Sequence, residues 1–161
     1  MNKENRCLLR YYQQYRHKIY NYFWYRVNFN RSLAEDMTAE VFLRVVDKFD
    51  SFDKSRPFQP WLYAIARNLL LNYYRTANRE VELTQAEQIS QDNLVKVNNQ
   101  IDFTKVIVLV QTLPEYYQEI ILLKYVDELD NQEIAQVLGK NEGAIRAQLS
   151  RALKVLKEKF D

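Results

Sequence analysis

An all-α fold, built as two small helical domains joined by a linker, is predicted by three features of this chain. Turn formers are scarce, with 2 glycines and 3 prolines against 47% hydrophobic residues, and a β-rich fold with many tight turns would need more of both. Apolar and aromatic residues recur at helical spacing over long stretches. Helix-start signals, in which Ser, Thr or Asp precedes Glu by three positions, stand before several of the apolar runs.

The first helix is predicted from Leu8 to about Val27, where Tyr11, Tyr12, Tyr15, Ile19, Tyr22 and Phe23 keep the spacing. Asn28 to Arg31 breaks it. Ser32 and Glu35 then form a capping box that would open a second helix. That helix is expected to bury Leu33, Met37, Val41 and Val45, with Phe42, Val46 and Phe49. Asp36, Glu40, Arg44 and Asp47, spaced by four, four and three, share its other side. The polar and proline residues between Phe49 and Pro60 signal a loop. Pro60 suits the first turn of a third helix, where its missing N–H costs nothing. Trp61, Leu62, Ile65, Ala66, Leu69, Leu70 and Tyr73 are its apolar residues, and it is expected to end by Arg79.

Residues 80–101 are polar, rich in Gln and Asn and weakly periodic, which predicts a linker between a domain at 1–79 and another at 102–161. Four helices are expected in the second domain. The first covers about Phe103 to Gln111. A capping box at Thr112 and Glu115 opens the second, and another at Asp130 and Glu133 opens the third, which stops at Gly139. Asn141 caps the last, running from Glu142 to Phe160.

Charge divides unevenly along the chain. Residues 1–79 hold 14 Lys and Arg against 7 Asp and Glu, whereas residues 102–161 hold 8 against 10. The first domain therefore has an electrostatic reason to approach a polyanion. Apolar runs are too short for a membrane span, and the N-terminus lacks the pattern of a signal peptide. Cys7 and His17 are the only residues of their kinds, so neither a disulfide framework nor a structural zinc site is expected, and no metal or cofactor. A cytoplasmic protein follows. No paired catalytic carboxylates, phosphate loop or nucleophile–His constellation points to an enzyme.

The strongest local signal runs from Asn131 to Ile145. A helix-turn-helix needs a small residue where its helices cross, a glycine at the turn and an apolar anchor in the second helix. Ala135, Gly139 and Ile145 supply them at spacings of four and six. In that arrangement the last helix enters the major groove of DNA. Arg146 and Gln148 are suited to base edges, with Ala147 and Ser150 beside them. Lys140, Arg151 and the backbone at the helix start, Asn141 and Gly143 included, suit phosphates. A second signal lies at Phe58 to Asn68, continued by Asn72, Arg75 and Arg79. Basic and aromatic residues beside a polar loop can hold an unstacked base of single-stranded DNA.

Taken together, these segments resemble the extracytoplasmic function group of the sigma-70 superfamily of bacterial transcription initiation factors. Ala34 to Arg44 resembles conserved region 2.2 and Trp61 to Asn68 region 2.3. Leu113 to Gln118, the helix-turn-helix and Arg146 to Ala152 resemble region 4. The resemblance implies a non-enzymatic sigma factor that directs core RNA polymerase to promoters. Asp36, Glu40, Phe42 and Arg44 would dock on the clamp helices of the largest polymerase subunit. The loop Ser51 to Pro60, with Ser55 and Arg56, and Asn68 would capture a base flipped from the −10 element. Arg67, Asn72 and Arg75 would hold nearby DNA. The second domain would sit on the flap of the second large subunit and read the −35 element. Members of the group are commonly held inactive by an anti-sigma factor, a further partner implied. Ala39 stands where region 2.2 usually has glutamine, and Ala147-Gln148 replaces the usual Ser-Arg. The competing expectation is a stand-alone helix-turn-helix regulator that binds DNA without polymerase.

Overall fold

The computed structural model describes residues 1–84 and 101–160, with side chains for residues 1–80 and 103–160. The described residues are helical and contain no strand. None of their helices is long and apolar enough to cross a membrane. The chain divides into two compact units, Met1–Leu94 and Val95–Asp161.

Unit one is built from α1 (Lys3–Trp24), α2 (Arg31–Lys48), a single 3₁₀ turn (Phe49–Ser51) and α3 (Phe58–Thr84). The Asn2 side chain caps α1 by accepting from the Glu4 amide. Tyr15, Ile19, Tyr22 and Phe23 are buried on one side of α1, as the helical spacing required. Reversal into α2 uses positive φ at Asn28 (54°) and at Phe29 (58°). That conformation is costly for a bulky residue, and the Phe29 ring is held edge-on against Trp24 at 4.6 Å. Asn30, rather than Ser32, is the N-cap of α2, its side chain accepting from Leu33 N at 3.1 Å. Asparagine caps as well as serine, and the reversal at Asn28 and Phe29 brings Asn30 to the helix entrance first. Glu35 consequently pairs with Arg31 at 3.0 Å instead of reaching back.

Buried residues of α2 are Ala34, Met37, Val41, Phe42 and Val45. Leu33 is half-buried, and Val46 is 61% exposed, contrary to the sequence expectation. Met37, Val41 and Val45 keep steps of four, while Val46 turns a further 100° towards solvent. Tyr11, Tyr15, Phe49, Phe52, Phe58 and Trp61 form one aromatic cluster at the start of α3. Tyr11 stacks on Phe58 at 3.8 Å, and Phe52 lies 4.7 Å from Trp61. Tyr63 is wholly buried, edge-on to Tyr22. Downstream, α3 passes Arg79 and continues through Thr84. No proline or glycine stands there to stop it. The rest of the expected linker, residues 85–100, lies outside the described residues.

Unit two contains α4 (Ile101–Val110), α5 (Glu115–Ile121), a π-helical turn (Leu122–Val126), α6 (Asn131–Leu138) and α7 (Glu142–Phe160). Ile107, Leu113, Ile120, Leu123, Leu129, Ile134 and Ile145 fill its core. Pro114 is the N-cap of α5, and Thr112 is not. The Thr112 hydroxyl instead donates to Leu109 O at 2.7 Å and closes the end of α4. Gln118 secures the junction by donating to Gln111 O and Leu113 O. The π turn closes with Asp127 N donating to Leu122 O, and a positive φ at Glu128 (60°) sends the chain into α6.

Candidate nucleic-acid interfaces and docking face

The helix-turn-helix is assembled by its caps and its core. Asp130 and Glu133 form the expected capping box of α6, with both reciprocal bonds present. Gly139 ends the helix at φ 65°, the left-handed conformation, and its N–H donates to Ala135 O. Lys140 N donates to the same carbonyl at 2.9 Å. Asn141 then caps α7 by accepting from Ala144 N at 2.8 Å. Ile134, Ala135, Val137, Ile145 and Leu149 are buried together, so α7 is fixed on α6 by the residues the spacing singled out.

A Cβ at Gly139 would meet no atom within 4 Å, so any penalty there comes from backbone conformation alone. Gly139→Ala is expected to lower the stability of unit two by about 1–2 kcal/mol, and Gly139→Asn by less. Denaturant titration followed by circular dichroism measures both; equal losses would assign the effect to something other than φ.

On the outer side of α7, Gly143, Arg146, Ala147, Ser150 and Arg151 are exposed, and Gln148 is half-buried. Lys140 Nζ donates to Gln148 Oε1 at 3.3 Å. Gly143, Arg146, Ala147, Ser150 and Arg151 thus lie on one face opposite the Ile145–Leu149 anchor, with Gln148 at the flank beside that anchor.

In unit one, Asp53 organises the loop before α3. Its carboxylate accepts from Ser55 N (3.0 Å) and Ser55 Oγ (2.6 Å), and Arg56 Nε lies 3.6 Å away. These bonds, the Ser55 hydroxyl first, hold the Asp53 carboxyl below its ordinary range. Their contribution to loop order is present above the ordinary carboxylate pKa and is lost as pH falls through the lowered value. Along α3, Asn68, Asn72 and Arg75 are exposed and share a side with Arg79, while Arg67 is half-buried. The Tyr74 hydroxyl donates to Arg26 O, tying this stretch of α3 to the end of α1.

The expected docking residues separate into two groups. Asp36 is exposed, and Arg44 Nε donates to Glu40 Oε1 at 3.1 Å. Phe42 does not belong with them. It is 8% exposed and lies edge-on beneath Tyr12 at 5.0 Å, because it sits at the inner edge of α2 facing α1. The exposed large apolar residues of α2 are Leu43 (66%), which helical spacing left unassigned, and Val46, which it placed in the core. Leu43 follows Asp36 by seven residues and precedes Asp47 by four, so the three share one face. A shallow groove of about 330 Å³ between α2 and α3 is lined by Asp36, Met37, Glu40, Leu69, Asn72, Tyr73 and Thr76. It brings Asp36 and Glu40, two of the expected docking residues, next to Asn72, one of the expected −10 residues. Among the described residues, no group of three or more His, Cys, Asp or Glu side chains could hold a metal ion.

Comparison with known proteins accounts for both units. The family description "Sigma-70 region 2" matches residues 11–80, and "Sigma-70, region 4" matches residues 104–156. The chain is similar to the ECF RNA polymerase sigma factor BldN of Streptomyces coelicolor, at 33% identity over 91% of this chain and 58% of that protein. It is 31% identical to the ECF RNA polymerase sigma factor SigW of Bacillus subtilis, over 91% of this chain and 84% of that one. CnrH, solved in complex with the cytosolic domain of CnrY, shares the fold at a TM-score of 0.73 and 19% identity, covering 98% of this chain and 89% of CnrH. RpoE of Bartonella quintana, solved with the anti-sigma factor NepR, does so at 0.68 and 24%, covering 80% and 81%. With regions 2 and 4 matched in order, and a relative above 30% identity matched over most of its length, the chain belongs to the extracytoplasmic function (ECF) sigma factors of the sigma-70 family.

Proposed function

We propose that this chain binds core RNA polymerase through α2, opens and reads the −10 element with α3 and the loop before it, and reads the −35 element with α7. The observation that carries this reading is a division of labour within one chain. A helix-turn-helix in one unit and an amide and basic stripe in the other face solvent, and α2 adds an acidic and apolar face of a different character. Two DNA-facing surfaces of unlike design suit two unlike targets, a duplex groove and an unstacked base.

On α2 the contact to the clamp helices is assigned to Asp36, Glu40 and Arg44, with Leu43 and Val46 in place of the buried Phe42. An exposed apolar pair rimmed by charges suits a docking surface. Ser55, Arg56 and Asn68 are assigned to the captured base, and Arg67, Asn72 and Arg75 to the adjoining backbone. Lys140, Asn141, Gly143 and Arg151 hold phosphates, while Arg146, Ala147, Gln148 and Ser150 face the bases. Unit two docks on the polymerase flap, and that tether supplies affinity through effective concentration. An anti-sigma factor that covers these faces would silence the protein, and the work takes place in the cytoplasm without a catalytic step or cofactor. The proposed domain division is 1–79 and 102–161, with 80–101 between. A stand-alone regulator would leave the region 2 match over residues 11–80 without a role.

Polymerase binding is the decisive test. Purified protein should bind bacterial core enzyme one to one, and Asp36→Ala combined with Glu40→Ala should weaken binding about tenfold, the scale of one to two exposed charge contacts. Titration of labelled protein with core enzyme measures it. Absence of binding by the folded, inhibitor-free protein would overturn the proposal.

A further inference from the structure

The outward face of α1 carries a run of cations that neither the docking nor the promoter-reading assignments use. Lys3, Arg6 and Arg10 are all exposed. On a helix their positions fall within an arc of about 60° and extend over about 10 Å along the axis. That length equals the axial span of about three phosphates on one strand of B-form DNA. The buried side of α1, with Tyr15, Ile19 and Tyr22, points the other way.

Among the described residues none of these cations is neutralised by an acid in an ion pair. Arg6 donates to the Met1 carbonyl, and Arg10 approaches Cys7 Sγ at 3.8 Å and the Tyr11 ring at 5.9 Å. The single acid of α1, Glu4, is turned away to Lys54 at 3.7 Å. A solvated helix face ordinarily intersperses both signs of charge; this one does not.

Two contacts fix where the run lies. The Glu4–Lys54 pair and the Tyr11–Phe58 stack at 3.8 Å hold the first turns of α1 against the loop that carries Ser55 and Arg56. Lys54 and Arg56 are themselves exposed on that loop. The α1 cations therefore stand on the outward side of a helix that packs against the loop of the proposed −10 pocket.

We infer that Lys3, Arg6 and Arg10 form a phosphate-binding strip that holds the sugar–phosphate backbone of promoter DNA beside the captured base. The strip adds affinity without sequence preference, since phosphate contacts position the nucleic acid while base contacts specify it. This inference rests on the −10 assignment proposed above.

The test uses the full chain assembled with core polymerase on promoter DNA, comparing wild type, Lys3→Gln/Arg6→Gln/Arg10→Gln, the charge-retaining Arg6→Lys/Arg10→Lys, and Asn68→Ala. Affinity is measured across a potassium chloride series, on promoters with intact and altered −10 sequences. The triple variant should bind core enzyme normally and lower the slope of log K against log salt by about 2 to 3. Its loss should be equal on both promoters, and the lysine variant should restore the slope. An unchanged slope in the triple variant, with Asn68→Ala still selectively weakened on the intact −10 sequence, would overturn the strip and leave the −10 assignment standing. Loss of that selectivity effect for Asn68→Ala would remove the assignment itself.

Discussion

Phe58→Ala is expected to cost unit one about 3–5 kcal/mol, the range for removing a buried phenyl ring from a packed core. Phe58 is 5% exposed. Its ring stacks on Tyr11 at 3.8 Å and lies 5.4–5.7 Å from Tyr15, Phe52 and Trp61. It is thus the common neighbour of α1, the loop and α3. A loss of that size is a large share of the stability of a domain this small. Hydrogen exchange should show lost protection across α1 to α3 with α6 and α7 unchanged, because unit two has its own core. Promoter opening should fail before −35 binding does. Retention of the loop and full protection in α1 would mean that the cluster is packed by its other members.

The same cluster shows what the sequence made legible and what it did not. The helices were readable because Tyr15, Ile19 and Tyr22, or Met37, Val41 and Val45, keep a strict period, and burial follows period. The helix-turn-helix was readable because Ala135, Gly139 and Ile145 each answer a different steric demand at fixed spacing. Caps were less secure. Asn30 and Ser32 compete within one turn, and only the positive φ at Phe29, a conformation its residue type disfavours, decides for Asn30. Thr112 illustrates a second ambiguity, since a hydroxyl near a helix junction can close the helix behind it as well as open the one ahead.

Among candidate site residues, Phe42 is buried as helical spacing required and is thereby withdrawn from the docking face, while its unassigned neighbour Leu43 is exposed. Adjacent apolar residues differ by 100° around the helix, and which of them meets solvent depends on where α1 lies, a tertiary fact that hydropathy does not carry. The π turn at Leu122–Val126 was invisible for a related reason. Ile120 to Leu123 are all buried, and a fully apolar run registers no difference between helical periods.

Arg146→Ala should lose about 1–3 kcal/mol of discrimination at a single position of the −35 element, roughly 5- to 150-fold in relative affinity. The fold should be untouched. Arg146 is exposed, and the helix beneath it is set by the wholly buried Ile145 and by the Asn141 cap. Arg151→Ala offers the contrast from the same helix. Its exposed cation is assigned to a phosphate, so its loss should weaken every promoter alike and reduce the salt slope by about one. Binding of polymerase carrying each variant to a panel of single-base −35 substitutions separates the two effects. If Arg146→Ala weakens all members of the panel equally, the residue touches backbone, and base reading passes to Gln148. There the bond from Lys140 engages Oε1 and leaves the amide N–H groups to donate, which favours an acceptor edge such as guanine O6 or thymine O4 over the paired donor and acceptor of adenine. Preference along the panel would then follow the Lys140–Gln148 pair, and Lys140→Ala, by freeing the carbonyl, should shift it towards adenine.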